Sequence, residues 1–94
     1  MLFSVFTLDS PDAADKRKAV HGEHVAHLKK ANDFGVAITV GGPLMSDDGT
    51  NAIGSLMVLE ALDRASVEKF SRADPFHRNG VWGKVEIRRF DRKE

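Results

Sequence analysis

Cysteine is absent from the 94 residues, which removes disulfides, thiolate catalysis and cysteine-held metals at once. Net charge is absent as well. Fourteen basic residues balance fourteen acidic ones, so no long-range field draws the chain to DNA, RNA or an anionic membrane. The most basic stretch, Arg88-Arg89 with Arg92-Lys93, is broken by Asp91 and closed by Glu94, and it reads as a solvated tail. No apolar run approaches the roughly 20 residues a membrane helix needs. Residues 1–6 are apolar but have neither a basic leader nor a small-residue cleavage site. These absences predict a cytoplasmic protein with no nucleic-acid or membrane partner. Internal repeats, low-complexity tracts and linkers are also missing.

What is present is a 41% apolar composition, which supports a packed core. The length fits one domain over residues 1–94 and leaves no room for a second core. A chain this short buries a smaller share of its surface than a large one, so assembly would stabilise it.

Hydrophobic patterning predicts the element order β-α-β-β-α-β. Residues 2–8 are bulky on both alternating faces, as in a strand covered on both sides. Asp9-Ser10-Pro11-Asp12 signals a helix start, and the helix is predicted to run to about Phe34 with Gly35 at its C′ position. Residues 36–40 form a second strand that Gly41-Gly42-Pro43 is expected to end, and 45–52 the loop of a wide hairpin. Residues 54–60 are again apolar on both faces. Asp63 suits the N-cap of a second helix through Ala73, where Pro75 disfavours helical geometry at Asp74. The last strand, about 81–90, is apolar on one face only.

Doubly covered first and third strands belong at the centre of a sheet, and the second and fourth at its edges. Right-handed crossovers place both helices on one face. The fold class is therefore α+β, a ferredoxin-like antiparallel sheet in the order 4-1-3-2. The helices cover one face only, and a second copy of the chain is the simplest cover for the other, giving a homodimer.

Two inward polar residues interrupt the helical stripes. Projected at 100° per residue, Val20, Leu28, Ala31 and Ala13 fall within about 40° of His24, where a leucine would be expected. On the second helix Val67, Phe70 and Asp74 follow at i, i+3 and i+7, so the carboxylate closes the buried side. A carboxylate on one imidazole nitrogen fixes the tautomer and strengthens the other as a base. Each residue also has a structural reading, a core histidine bonded to a carbonyl and a turn-forming aspartate before proline. His21, His24 and His27 recur every third residue and spread over about 120°, which suits a metal poorly even if His77 contributed. Gly41-Gly42-Pro43 could present backbone amides to an anion or simply turn the chain. Ser55 lies on a central strand without a nucleophile elbow and is assigned to ligand contact.

The run Lys16-Arg17-x-x-x-His21-x-x-His24-x-x-His27-Leu28, then Gly35, Gly41-Gly42-Pro43-Leu44, Gly54-Ser55, Asp74-Pro75-Phe76 and Gly80-Val81, resembles the YciI-like family (YCII-related domain) over nearly the whole chain. The resemblance implies a dimeric ferredoxin-like α+β barrel with a histidine–aspartate dyad in a small pocket, mapping onto His24 and Asp74. It also implies, from one branch, lyase chemistry by dehydrochlorination of hydroxylated aromatic rings. Many members carry an arginine three residues before the dyad histidine, where this chain has His21.

The leading expectation is a small enzyme, a lyase without cofactor or metal. His24 and Asp74 form its acid/base dyad, and Ser55, His21, Gly42 and Pro43 surround a small polar or aromatic ligand. The alternatives are a ligand-binding or accessory module with a structural dyad, and a dimer interface protein. An enzyme requires His24 at a pocket wall with one ring nitrogen free.

Overall fold

The computed structural model describes residues 1–94. The chain runs β1 (Leu2–Asp9), α1 (Ala14–Leu28), a 3-10 turn (Ala31–Phe34), β2 (Val36–Met45), β3 (Ala52–Ala61), α2 (Arg64–Ala73), α3 (Pro75–Arg78) and β4 (Trp82–Phe90). The strands form one antiparallel sheet in the order β2-β3-β1-β4, the 4-1-3-2 arrangement of a ferredoxin-like α+β fold. The central strands β1 and β3 are those whose both faces carry apolar residues. Phe3, Val5, Met57 and Leu59 turn toward the helices and are buried. Their alternates Phe6, Leu8 and Leu56 lie exposed on the other face, with Val40 and Phe90 beside them.

The helices close the core from above. Val67 and Phe70 of α2, Phe76 of α3 and Val81 are wholly buried. Asp63 caps α2 by accepting the Ser66 amide at 2.8 Å, and that bond holds its carboxyl below the usual range. No helix is long and apolar enough to cross a membrane.

Three boundaries differ from the sequence reading. α1 stops at Leu28, and the chain reaches Gly35 through the separate 3-10 turn. Gly35 does adopt the left-handed conformation, φ 73°. β2 does not end at Gly41-Gly42-Pro43 but continues through them to Met45, with Pro43 opposite Ser55. β2 is an edge strand, where the missing N–H of a proline can face outward without breaking the ladder. Finally, Pro75 starts a helix as well as ending one. Asp74 is extended (φ −65°, ψ 130°) and caps α3, with Pro75 at its first position.

Candidate active site

The buried residues of α1 are two polar ones, Arg17 and His24. Seven residues equal two turns less about 20°, so both point the same way. Asp74 meets the second of them because Pro75 stops α2 at that point. The His24 Nδ1 lies 2.8 Å from Asp74 Oδ1 and 2.9 Å from Oδ2. Asp74 is completely buried, and its Oδ1 also accepts the Phe76 amide at 2.8 Å. The carboxylate can only accept, so Nδ1 carries the proton and Nε2 is an acceptor in the neutral ring. Nε2 makes no hydrogen bond within the chain, and it is not among the sealed polar atoms. The ring stacks on Phe76 (3.9 Å between centroids, 8° between planes) and meets the edge of Trp82 at 6.1 Å. Two aromatic neighbours and a two-oxygen clasp leave the imidazole little rotational freedom.

Arg17 builds the other half. Its Nε and Nη2 grip Asp9 at 2.8 and 3.1 Å, and Nη2 also reaches the Gly54 carbonyl at 2.7 Å and Ser55 Oγ at 3.0 Å. The guanidinium carbon sits 4.7 Å from the Phe76 ring centre. A side chain on Gly54 would overlap the Thr7 carbonyl, so glycine is what lets β3 approach β1 there. Ser55 Oγ accepts a second bond, from Trp82 Nε1 at 3.0 Å. A β4 bulge makes this possible: Thr7 pairs with Val85 but Asp9 with Trp82, which turns Trp82 to the helix side. With both lone pairs of Ser55 Oγ engaged, its own proton has no acceptor in the chain. The two N–H groups of Arg17 Nη1 are likewise unengaged.

Arg17, His24 and Ser55 all line one cavity of about 190 Å³. Arg17, His21, His24 and Ser55 supply its polar wall, and Val25, Leu28, Ile38 and Met57 its apolar one. Gly41, Gly42 and Pro43 close it from β2, which explains why the strand must run past them. Asp74 lies behind His24 and outside the lining. His21 stands at the wall with its ring 6.4 Å from His24. His27 turns away, its Nε2 2.8 Å from the Phe70 carbonyl and its ring stacked on Phe70. No three histidine, aspartate or glutamate side chains converge as a metal site would require.

Sequence reading missed Arg17 and Asp9. The signal was available: Arg17 projects within about 20° of His24 on the same helix, and Asp9 ends the strand that faces it. His21 stands where the resemblance implies an arginine, and Arg17 brings a guanidinium to the same cavity.

The family model described as YCII-related domain matches residues 1–91. The chain is 27% identical over 95 residues to Protein YciI of Escherichia coli, covering 96% of each. It is 26% identical over 94 residues to an uncharacterized protein of Haemophilus influenzae, again covering 96% of each. Among solved structures it is similar to 5-chloro-2-hydroxyhydroquinone dehydrochlorinase (TftG) from Burkholderia phenoliruptrix, in complex with 2,5-dihydroxybenzoquinone. That likeness has a TM-score of 0.84 at 27% identity, over 97% of this chain and 94% of the other.

Proposed function

Because the chain belongs to the family of YCII-related domains, we propose that it is a small cofactor-independent lyase acting on a single-ring hydroxylated compound. The observation that carries this reading is the pairing of an acceptor and two donors across one cavity. His24 Nε2 accepts, while Arg17 Nη1 and the Ser55 hydroxyl donate. Nε2 takes a proton from a ring hydroxyl or an acidic C–H, and Asp74 stabilises the resulting imidazolium. The electron pair moves into the ring, and the negative charge on a ring oxygen is met by Arg17 and Ser55. The ring carbon that bears the leaving group takes up this proton from the imidazolium to give a keto form. As a second ring hydroxyl loses its proton, the leaving group departs from that carbon with its bonding electrons. Proton and leaving group balance, so no oxidant or reductant takes part.

Size and likeness both support this substrate class. An apolar cavity of roughly 150 Å³ accepts benzene, so about 190 Å³ suits one ring with a few small substituents. The similar dehydrochlorinase acts on 5-chloro-2-hydroxyhydroquinone, a ring of that kind from which the elements of HCl leave. His21, Gly42 and Pro43 would contact the ring from the open side. The chain would work as a homodimer, covering Phe6, Leu8, Leu56 and Val40 with the same face of a second copy.

The test is anaerobic incubation of the purified protein with 5-chloro-2-hydroxyhydroquinone, following chloride release. Chloride should appear with the wild type and not with His24→Ala. Failure to release chloride, together with failure to bind 2,5-dihydroxybenzoquinone in a titration, would sink the reading.

A further inference from the structure

A second concavity lies on the other side of α2, against the outer edge of β4, and takes no part in the chemistry above. It measures about 200 Å³ and is lined from the helix by Arg64, Glu68, Ser71 and Arg72, and from the strand by residues 84–88. β4 pairs only with β1, so alternate backbone groups along it point outward. One of these, the Ile87 carbonyl, already accepts Arg64 Nη1 at 3.0 Å and Arg88 Nη1 at 3.1 Å. With that acceptor occupied, the groove offers mainly donors.

Charge points the same way. Four cations, Arg64, Arg72, Lys84 and Arg88, face two carboxylates. Glu68 lies 3.7 Å from Arg64 and Glu86 lies 3.4 Å from Arg88, which leaves Arg72 and Lys84 without an ion pair. The floor supplies the decisive observation. Ser71 is 3% exposed, and its Oγ is the one buried side-chain polar atom of the protein without a hydrogen-bond partner. An orphaned buried hydroxyl costs about as much as a lost hydrogen bond, and alanine would suit this helix position better by propensity.

We infer that this groove is a binding site for a small tetrahedral oxyanion of the phosphate class. Ser71 donates from below, Arg72 from the helix and Lys84 from the strand. Donors arriving from three directions suit an anion with oxygens on every side better than a planar carboxylate. A space of this size holds a head group and not a macromolecular surface. Free phosphate and a phosphate monoester share the recognised chemistry.

The experiment is an amide NMR titration of the intact protein with sodium phosphate, methyl phosphate, sodium acetate and sodium chloride at matched ionic strength. Saturable shifts confined to Ser71, Arg72 and residues 84–88 are expected with phosphate. Equal binding of methyl phosphate assigns the site to monoesters as well, and its exclusion assigns it to the free ion. Arg72→Gln and Ser71→Ala should each weaken phosphate by about tenfold. Ser71→Ala should also keep or raise the melting temperature in phosphate-free buffer, since it removes an unsatisfied group. Shifts that never saturate, that acetate or chloride reproduce, or that both variants leave unchanged would overturn the proposal.

Discussion

Asp74 clasps His24 Nδ1 between both carboxylate oxygens, at 2.8 and 2.9 Å, while one of those oxygens also accepts the Phe76 amide. One residue thus orients the imidazole, caps α3 and fixes the ring on which that imidazole stacks. Asp74→Asn keeps an oxygen for the Phe76 amide but loses the charge that stabilises an imidazolium. Turnover should fall by about two to four orders of magnitude, with the melting temperature changing little. His24→Ala should abolish turnover and also destabilise by about 3 kcal/mol, because it leaves a fully buried carboxylate without its main partner. Steady-state kinetics and thermal melts on both variants decide this. Full activity in Asp74→Asn would reduce the pair to scaffolding.

Ser55→Ala removes one hydroxyl and with it the acceptor of two buried donors, Arg17 Nη2 and Trp82 Nε1. The expected cost is about 1–3 kcal/mol of stability. If the hydroxyl also meets developing negative charge, kcat should drop by about a hundredfold or more. A lower melting temperature with unchanged kcat would limit Ser55 to structure.

The apolar face around Phe6 and Leu56, which pair across β1 and β3, predicts a dimer. Sedimentation of the wild type should give twice the 10.4 kDa chain mass, and Leu56→Glu should give the single chain. A wild-type monomer at micromolar concentration would refute the assignment.

The β2–β3 hairpin loop has its own acid response. Asp48 accepts from the hydroxyls of Ser46 and Thr50, both at 2.7 Å, and from the Thr50 amide at 3.0 Å. These bonds, that from Ser46 foremost, lower its pKa from 3.8 to about 2. The folded loop therefore favours the carboxylate. Its contribution is complete above about pH 4 and is lost as pH falls through 2. NMR titration of the Asp48 carboxyl should give the low midpoint, and Ser46→Ala should raise it. A midpoint near 3.8 in the wild type would count against the hydrogen bonds.

Much of this was legible because burial leaves a mark on side-chain chemistry. Phe3, Val5, Met57 and Leu59 alternate with exposed apolar residues, and that double pattern alone put β1 and β3 at the centre. His24 and Asp74 stood out as polar interruptions of apolar stripes. Arg17 escaped because a long cation on a helix usually reaches solvent. Only the third dimension brings Asp9, Gly54 and Ser55 around it. The extension of β2 through Pro43 was hidden for a related reason. Proline and glycine read locally as a turn, and nothing local says that the strand lies on an edge. α3 is four residues long, too short to leave a periodicity.

Trp82 is the only tryptophan of the chain, and there is no tyrosine. Its indole N–H ends on the oxygen of Ser55, and its ring lies 6.1 Å from the His24 ring. Near-ultraviolet emission therefore comes from a single fluorophore joined to the cavity by one hydrogen bond. A molecule that accepts the Ser55 proton shifts electron density along that bond, and a quinone at the wall quenches the indole outright. Occupancy of the cavity can thus be followed optically in the unlabelled protein, without chemical turnover.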